Sequence, residues 1–140
     1  MDSNSQKGFS LIELLVVVAI VGIIASVSIP YLKKAKYAAE NGSIFATTRV
    51  MSQSQISFYA QRARYARLDE LNAAGSNSFG TTSGNTIRRG NFTISMSPDY
   101  RTDEELRENY KILVTKTLDA EDLPYVISVS SSGEIVQIVP

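Results

Sequence analysis

The stretch Lys7-Gly8-Phe9-Ser10-Leu11-Ile12-Glu13-Leu14-Leu15-Val16-Val17-Val18-Ala19-Ile20 places an acid inside an apolar run. From Phe9 to Leu32, 24 residues carry one charge, Glu13. As a helix that run reaches about 36 Å, enough to cross a hydrocarbon core of roughly 30 Å. A carboxylate deep in a bilayer costs about 2.5–3.5 kcal/mol on insertion scales. Near the end of the run it costs less, yet it still needs a partner. No Lys, Arg or His lies within the segment to supply one.

Length alone is compatible with a cleaved secretory signal or a plain single-pass anchor. As a signal, the basic region is weak, because Asp2 opposes Lys7, and the apolar run exceeds the usual ~7–15 residues. Ala25-Ser26-Val27 is its nearest approach to a small-residue cleavage site. Neither reading accounts for Glu13. A cut between Gly8 and Phe9 does, because it creates an α-amine one helical turn before the acid. Between chains of an assembly, such an ion pair would reward one axial offset and penalise the others.

Gly22 and Pro30 lie in the same helix. Proline removes one helical hydrogen bond and glycine loosens the backbone, so the stretch between them is where a kink or stretch is expected. Val16, Val17, Val18 and Val21 form helices poorly in water, but in lipid the need to satisfy every backbone group overrides that preference. Lys33, Lys34 and Lys36 follow the run. By the positive-inside count that flank belongs on the cytoplasmic side.

Lys7-Gly8-Phe9-Ser10-Leu11-Ile12-Glu13 resembles the processing site of the type IV pilin and type II secretion pseudopilin superfamily. A short polar leader ends in glycine, phenylalanine follows, glutamate is the fifth residue after the cut, and an apolar helix continues through Gly22 and Pro30. The resemblance is strong over about 25 residues and general beyond them. It implies that a prepilin peptidase cuts after Gly8 and methylates the new amine of Phe9. Glu13 would pair with the amine of an adjacent subunit, and Gly22–Pro30 would lose helical order in the filament. Mature subunits would leave the inner membrane and self-assemble into a homopolymeric filament, through an inner-membrane platform and an ATPase-driven machinery. The carboxyl-terminal part would then lie outside the cytoplasmic membrane, against the charge count. The chain itself has no G-x-x-x-x-G-K-[ST] phosphate loop.

Past Pro30 the helix is expected to continue to near Arg62. Tyr37, Ile44, Met51 and Phe58 recur at spacing seven, with Ala38, Phe45, Ser52 and Tyr59 beside them, and Lys36, Asn41, Ser43, Thr47, Thr48 and Gln55 between as the polar side. Leu68-Asp69-Glu70-Leu71 reads as a helical turn, and Ala74–Asn85 as a loop by composition. Phe92/Ile94/Met96, Tyr110/Ile112/Val114 and Tyr125/Ile127/Val129 alternate as strands. Ile135–Val139 pairs back, burying either Val136 and Ile138 or Ile135 and Val139. The fold class expected is α+β, a pilin fold: a long kinked helix, half transmembrane and half amphipathic, packed on an antiparallel sheet of about four strands. The divisions are a leader (1–8), a membrane and filament-core helix (9–32), an amphipathic helix (33–62), a connecting region (63–91) and the sheet (92–140).

The chain has no cysteine or histidine, which removes disulfides, thiolate nucleophiles, imidazole bases and the common zinc ligands. No catalytic residue, metal or cofactor is expected, and no enzyme. Formal charge is zero, but bases dominate from Tyr31 to Asn91 and acids from Asp99 to Asp122, an asymmetry able to orient one copy against the next. Arg62, Arg64 and Arg67, interleaved with Tyr59 and Tyr65, form a basic patch that could hold nucleic acid, meet the acidic stretch of a neighbour, or be ordinary surface. Thr102-Asp103-Glu104-Glu105 fits a capping box, so Asp103–Glu108 is a short helix or an acidic loop. Asp99, Asp103, Glu104 and Glu105 lack the EF-hand spacing, and Asp119, Glu121 and Asp122 read as surface carboxylates.

Three functions remain. The first is a type IV pilus subunit serving adhesion, motility or DNA uptake. The second is a pseudopilin of a type II secretion system, periplasmic when assembled. The third is a membrane-anchored receptor or nucleic-acid-binding module, against which Glu13 argues, since an isolated anchor gains nothing from a buried acid.

Overall fold

A computed structural model describes residues 8–98, 102–116 and 125–139. The leader up to Lys7, and Asp99, Asp119, Glu121 and Asp122, lie outside the described residues. The chain divides into two compact units, one ending at Glu40 and one formed by Asn41–Pro140. Helix α1, Leu11–Arg62, contributes to both.

In the first unit α1 stands uncovered. Phe9 is 82% exposed, and Leu11, Ile12, Val18, Ile24 and Leu32 are all exposed. The helix is long and apolar enough to cross a membrane, and none of its most apolar window is buried. It runs unbroken through Gly22 and Pro30. The expected loosening there is therefore not a break in this structure. Pro30 still leaves the Ser26 carbonyl without its helical donor.

In the second unit α1 meets a six-stranded antiparallel sheet. The strands are β1 (Thr81–Ser83), β2 (Thr86–Arg89), β3 (Phe92–Met96), β4 (Lys111–Lys116), β5 (Val126–Ser130) and β6 (Ile135–Val139), in the order of the chain. Of two short helices, α2 (Leu68–Ala74) precedes the strands and α3 (Glu105–Glu108) falls between β3 and β4. The register aligns the alternating apolar residues into two cross-strand rows. One runs Ile87, Ile94, Val114, Ile127, and the other Met96, Ile112, Val129, Ile135. Ile44 and Met51 of α1 belong to the same buried cluster, with Phe58 partly buried against it. In β6 it is Ile135 that turns inward, while Val136 and Ile138 stay exposed.

Two expectations change. The sheet has six strands rather than about four, because β1 and β2 form a hairpin in the stretch read as loop. That hairpin buries only Ile87 among its side chains, so it shows no apolar alternation. Gly80 leads into it at φ +142°, where a Cβ would collide with the Arg88 carbonyl. Thr47, Thr48 and Gln55, read as the polar side of the helix, are instead buried. Thr47 and Thr48 donate their hydroxyls to the Ser43 and Ile44 carbonyls, both at 2.9 Å, so they enter the interior already satisfied. Ser52 and Tyr110 share a hydroxyl contact at 3.2 Å.

Gln55 is the strongest of these polar ties. Its amide nitrogen donates to the Ala66 carbonyl at 2.9 Å, and its oxygen accepts from the Ala66 N–H at 2.7 Å. Asn72 does the same for the approach to the hairpin, donating to the Gly80 carbonyl at 2.9 Å and accepting from the Phe79 N–H at 3.2 Å. A buried backbone group left unpaired costs about 1–3 kcal/mol. Gln55→Leu, which strands both groups of Ala66, is expected to lower unfolding free energy by about 3 kcal/mol in denaturant titrations of the detergent-solubilised chain. Gln53→Leu, two residues away on the exposed side, should stay within about 0.5 kcal/mol of the parent.

Candidate functional site

The residues expected to act in processing and assembly lie at the start of α1. Gly8 and Phe9 precede the helix and are exposed, and the Leu14 N–H donates to the Ser10 carbonyl at 3.2 Å as the first turn closes. Glu13 sits in that first turn. The turn carries unpaired N–H groups and the positive end of the helix dipole, a setting that favours an anion. The surrounding side chains are Leu11, Ile12, Leu14 and Leu15, all exposed. Among the described residues no base of this unit forms an ion pair with Glu13, while Lys36 and Glu40 pair further along at 3.7 Å. An uncovered apolar rod with one acid at its tip has the means to insert in lipid or bundle with its like, and a charge to fix where it stops.

The expected basic patch is differently used. Arg64 is nearly buried and forms a two-pronged pair with Glu70, at 2.6 and 2.8 Å. Its Nε also approaches Asp103 at 3.4 Å, and Arg67 binds the same Asp103 at 2.6 Å. Glu70 further accepts from the Arg67 N–H at 2.9 Å, closing the first turn of α2. Only Arg62 of the three stays outside this network, its guanidinium lying over the Phe58 ring at 5.8 Å. The patch thus joins the end of α1 to α2 and to the approach to α3. Tyr65 reinforces the joint, stacking between Tyr59 and Tyr110 with ring centroids 4.7 Å from each. The capping box forms as expected: the Thr102 N–H donates to Glu105, and the Glu105 N–H to the Thr102 hydroxyl. Asp103 and Glu105 are drawn into these contacts, so the acidic run is split between an ion network and a helix cap.

Glu70, the hub, was not among the expected site residues. Its signal in the sequence was its place three residues after Arg67, at the position where a carboxylate caps a helix start.

Comparison with known proteins falls on the same helix. The family described as the prokaryotic N-terminal methylation motif matches residues 3–29. A type IV major pilin of Myxococcus xanthus (strain DK1622) is 35% identical over 61 residues, 44% of this chain and 28% of that protein. A type IV major alpha-pilin of Moraxella bovis is 43% identical over 47 residues, 31% of this chain and 30% of that protein. The amino-terminal part of the chain is thus similar to the amino-terminal helices of type IV pilins and carries the methylation motif. The matched stretch spans less than a third of either relative. No solved structure matches the chain.

The ion network makes a pH prediction for the globular unit. The Arg64 hydrogen bonds, then the Arg67 N–H and the charges of both arginines, hold the Glu70 carboxyl down at about 2, from an ordinary 4.5. A depressed acid stabilises the fold fully above its unfolded value and loses that contribution as pH falls towards the folded one. Glu70→Gln should therefore lower the thermal midpoint at pH 7. The gap to the parent should narrow from about pH 4.5 downward and close near pH 2. Melting curves followed by circular dichroism check it.

Proposed function

We propose that the chain is a structural subunit of a type IV pilus, cut after Gly8, methylated on Phe9 and assembled through α1 into a helical surface filament. The observation that carries this reading is a carboxylate at the tip of an otherwise uncharged, wholly uncovered apolar helix, inside a stretch that matches an N-terminal methylation motif. Before assembly the helix is anchored in the inner membrane. In the filament, helices of other copies replace the lipid. Because both environments are apolar, packing and polar contacts rather than water release select the geometry. Removing the leader frees the Phe9 amine, and the Glu13 carboxylate of an adjacent copy accepts it. A prepilin peptidase and an ATPase-driven membrane platform are the implied partners. A pseudopilin of a type II secretion system uses the same features of α1 and is the second reading. Nucleic-acid binding through Arg62, Arg64 and Arg67 is disfavoured, because two of the three are engaged within the chain.

Mass spectrometry of sheared surface filaments tests the reading, with chains beginning at N-methylated Phe9 expected in abundance. Processed chain confined to the envelope would point to the pseudopilin. Glu13→Ala should be cut and inserted normally but enter filaments at least about tenfold less often than the parent when the two are co-expressed, the effect of losing roughly 1.4 kcal/mol of contact. Equal incorporation would remove the ion pair from the mechanism. Gly8→Leu should accumulate as uncut precursor on immunoblots, since a bulky residue before the cut obstructs the peptidase.

A further inference from the structure

We propose that an exposed flank of α1, bordered by the β5–β6 turn, seats the first helical turn of another copy, with Glu13 of that copy against Arg49. The inference rests on the filament reading above and adds a second cation for the same carboxylate.

Helical spacing places Gly42, Ala46, Arg49, Gln53, Ile56 and Ala60 opposite the buried Ile44, Thr48, Met51 and Gln55, and all six are exposed. An outward helix face on a soluble domain is ordinarily charged and polar. This one is not. Between Tyr37 and Gln61, Arg49 is the single base and Glu40 the single acid. Ile56 is 60% exposed, and Phe45 beside it is 42% exposed. Phe45, Arg49, Gln53 and Ile56 line a groove of about 370 Å³ whose far wall is Gly133 and Ile135, at and after the β5–β6 turn. Arg49 has no ion-pair partner among the described residues. At Gly42 nothing in the chain lies within 4 Å of where a Cβ would be, so no contact within the chain requires glycine there. In a helix interior glycine costs up to about 1 kcal/mol against alanine. A flattened face that admits a neighbouring helix gives that cost a return.

The occupant follows from charge. The groove sets the apolar Phe45, Ile56 and Ile135 beside the polar Ser52 and Gln53, and its one charge is the base Arg49. Among the described residues the longest run of exposed large hydrophobics is the amino-terminal helix, which carries one acid. Arg49 lies about ten turns along the same helix from its own Glu13, so the pair forms only between copies. A carboxylate has two oxygens and room for both an α-amine and a guanidinium. Arginine suits the role because its planar fork can bind a carboxylate through two hydrogen bonds.

The chain lacks cysteine, which makes the contact directly testable. In a filament whose copies run parallel, Glu13 opposite Arg49 puts Val17 opposite Gln53 one turn later. Val17→Cys combined with Gln53→Cys in the full chain should give disulfide-linked multimers from oxidised, sheared filaments. Each single variant should give dimers at most. Val17→Cys with Ala60→Cys, offset by about 10 Å, should not link beyond that background, because Cα atoms more than about 7 Å apart are not bridged without backbone movement. Arg49→Gln should reduce filament yield at an unchanged level of processed chain, and Arg49→Lys should recover most of it. Filaments that form from the Val17/Gln53 pair but stay unlinked, or that link equally through Ala60, would overturn the contact and leave the filament reading standing. Absence of filaments from the parent chain would overturn both.

Discussion

A helix that satisfies all its own backbone groups but covers none of its own side chains imposes a demand on its surroundings. From Leu11 to Leu32 the chain offers no internal surface to hide that helix. Lipid meets the demand, and so does a bundle of identical helices, and water does not. Much else follows from this constraint. The globular unit must be soluble beside an element that is not. The helix must carry something that tells one apolar register from another, and among apolar side chains alone the differences between registers are small. In the proposed filament, Glu13, the lone charge of the run, is the residue that makes those differences large.

The globular unit solves a different problem with the same helix. Past Asn41 the α1 sequence is only moderately apolar, and the side it buries includes Thr47, Thr48, Ser52 and Gln55. Each of these is hydrogen-bonded, to the turn before, to Tyr110 or to Ala66. Polar residues placed this way cost little to bury and fix position more tightly than aliphatic ones. The Arg64–Glu70–Asp103–Arg67 network closes the far end by the same means, replacing the covalent staples that a chain without cysteine lacks.

How much of this was readable beforehand depended on how local the cause was. The apolar run, its acid, and the alternations at Phe92–Met96, Tyr110–Val114 and Tyr125–Val129 are properties of neighbouring residues, and each became the element expected. The β1–β2 hairpin was hidden because one buried isoleucine leaves no alternation to detect. The buried side of α1 was misread where its residues are polar, because their partners arrive from other elements. The arginine patch looked like free charge for the same reason: Asp103 lies 36 residues beyond Arg67. Counting the bases along the second half of α1 would have singled out Arg49, since the other, Arg62, stands at its end.

The order of the sheet has a kinetic consequence. Each of the six strands pairs with its immediate neighbour in the chain, and no strand crosses over another. Three of the connections are short, two residues between β1 and β2 and between β2 and β3 and four between β5 and β6, so for these pairs the entropy lost before pairing begins is small and the search for register is local. Without disulfides to form or reshuffle, no oxidant paces the process. Strand pairing can therefore finish on its own clock while the amino-terminal helix is still held elsewhere, and under the filament proposal folding and polymerisation are separable events in time.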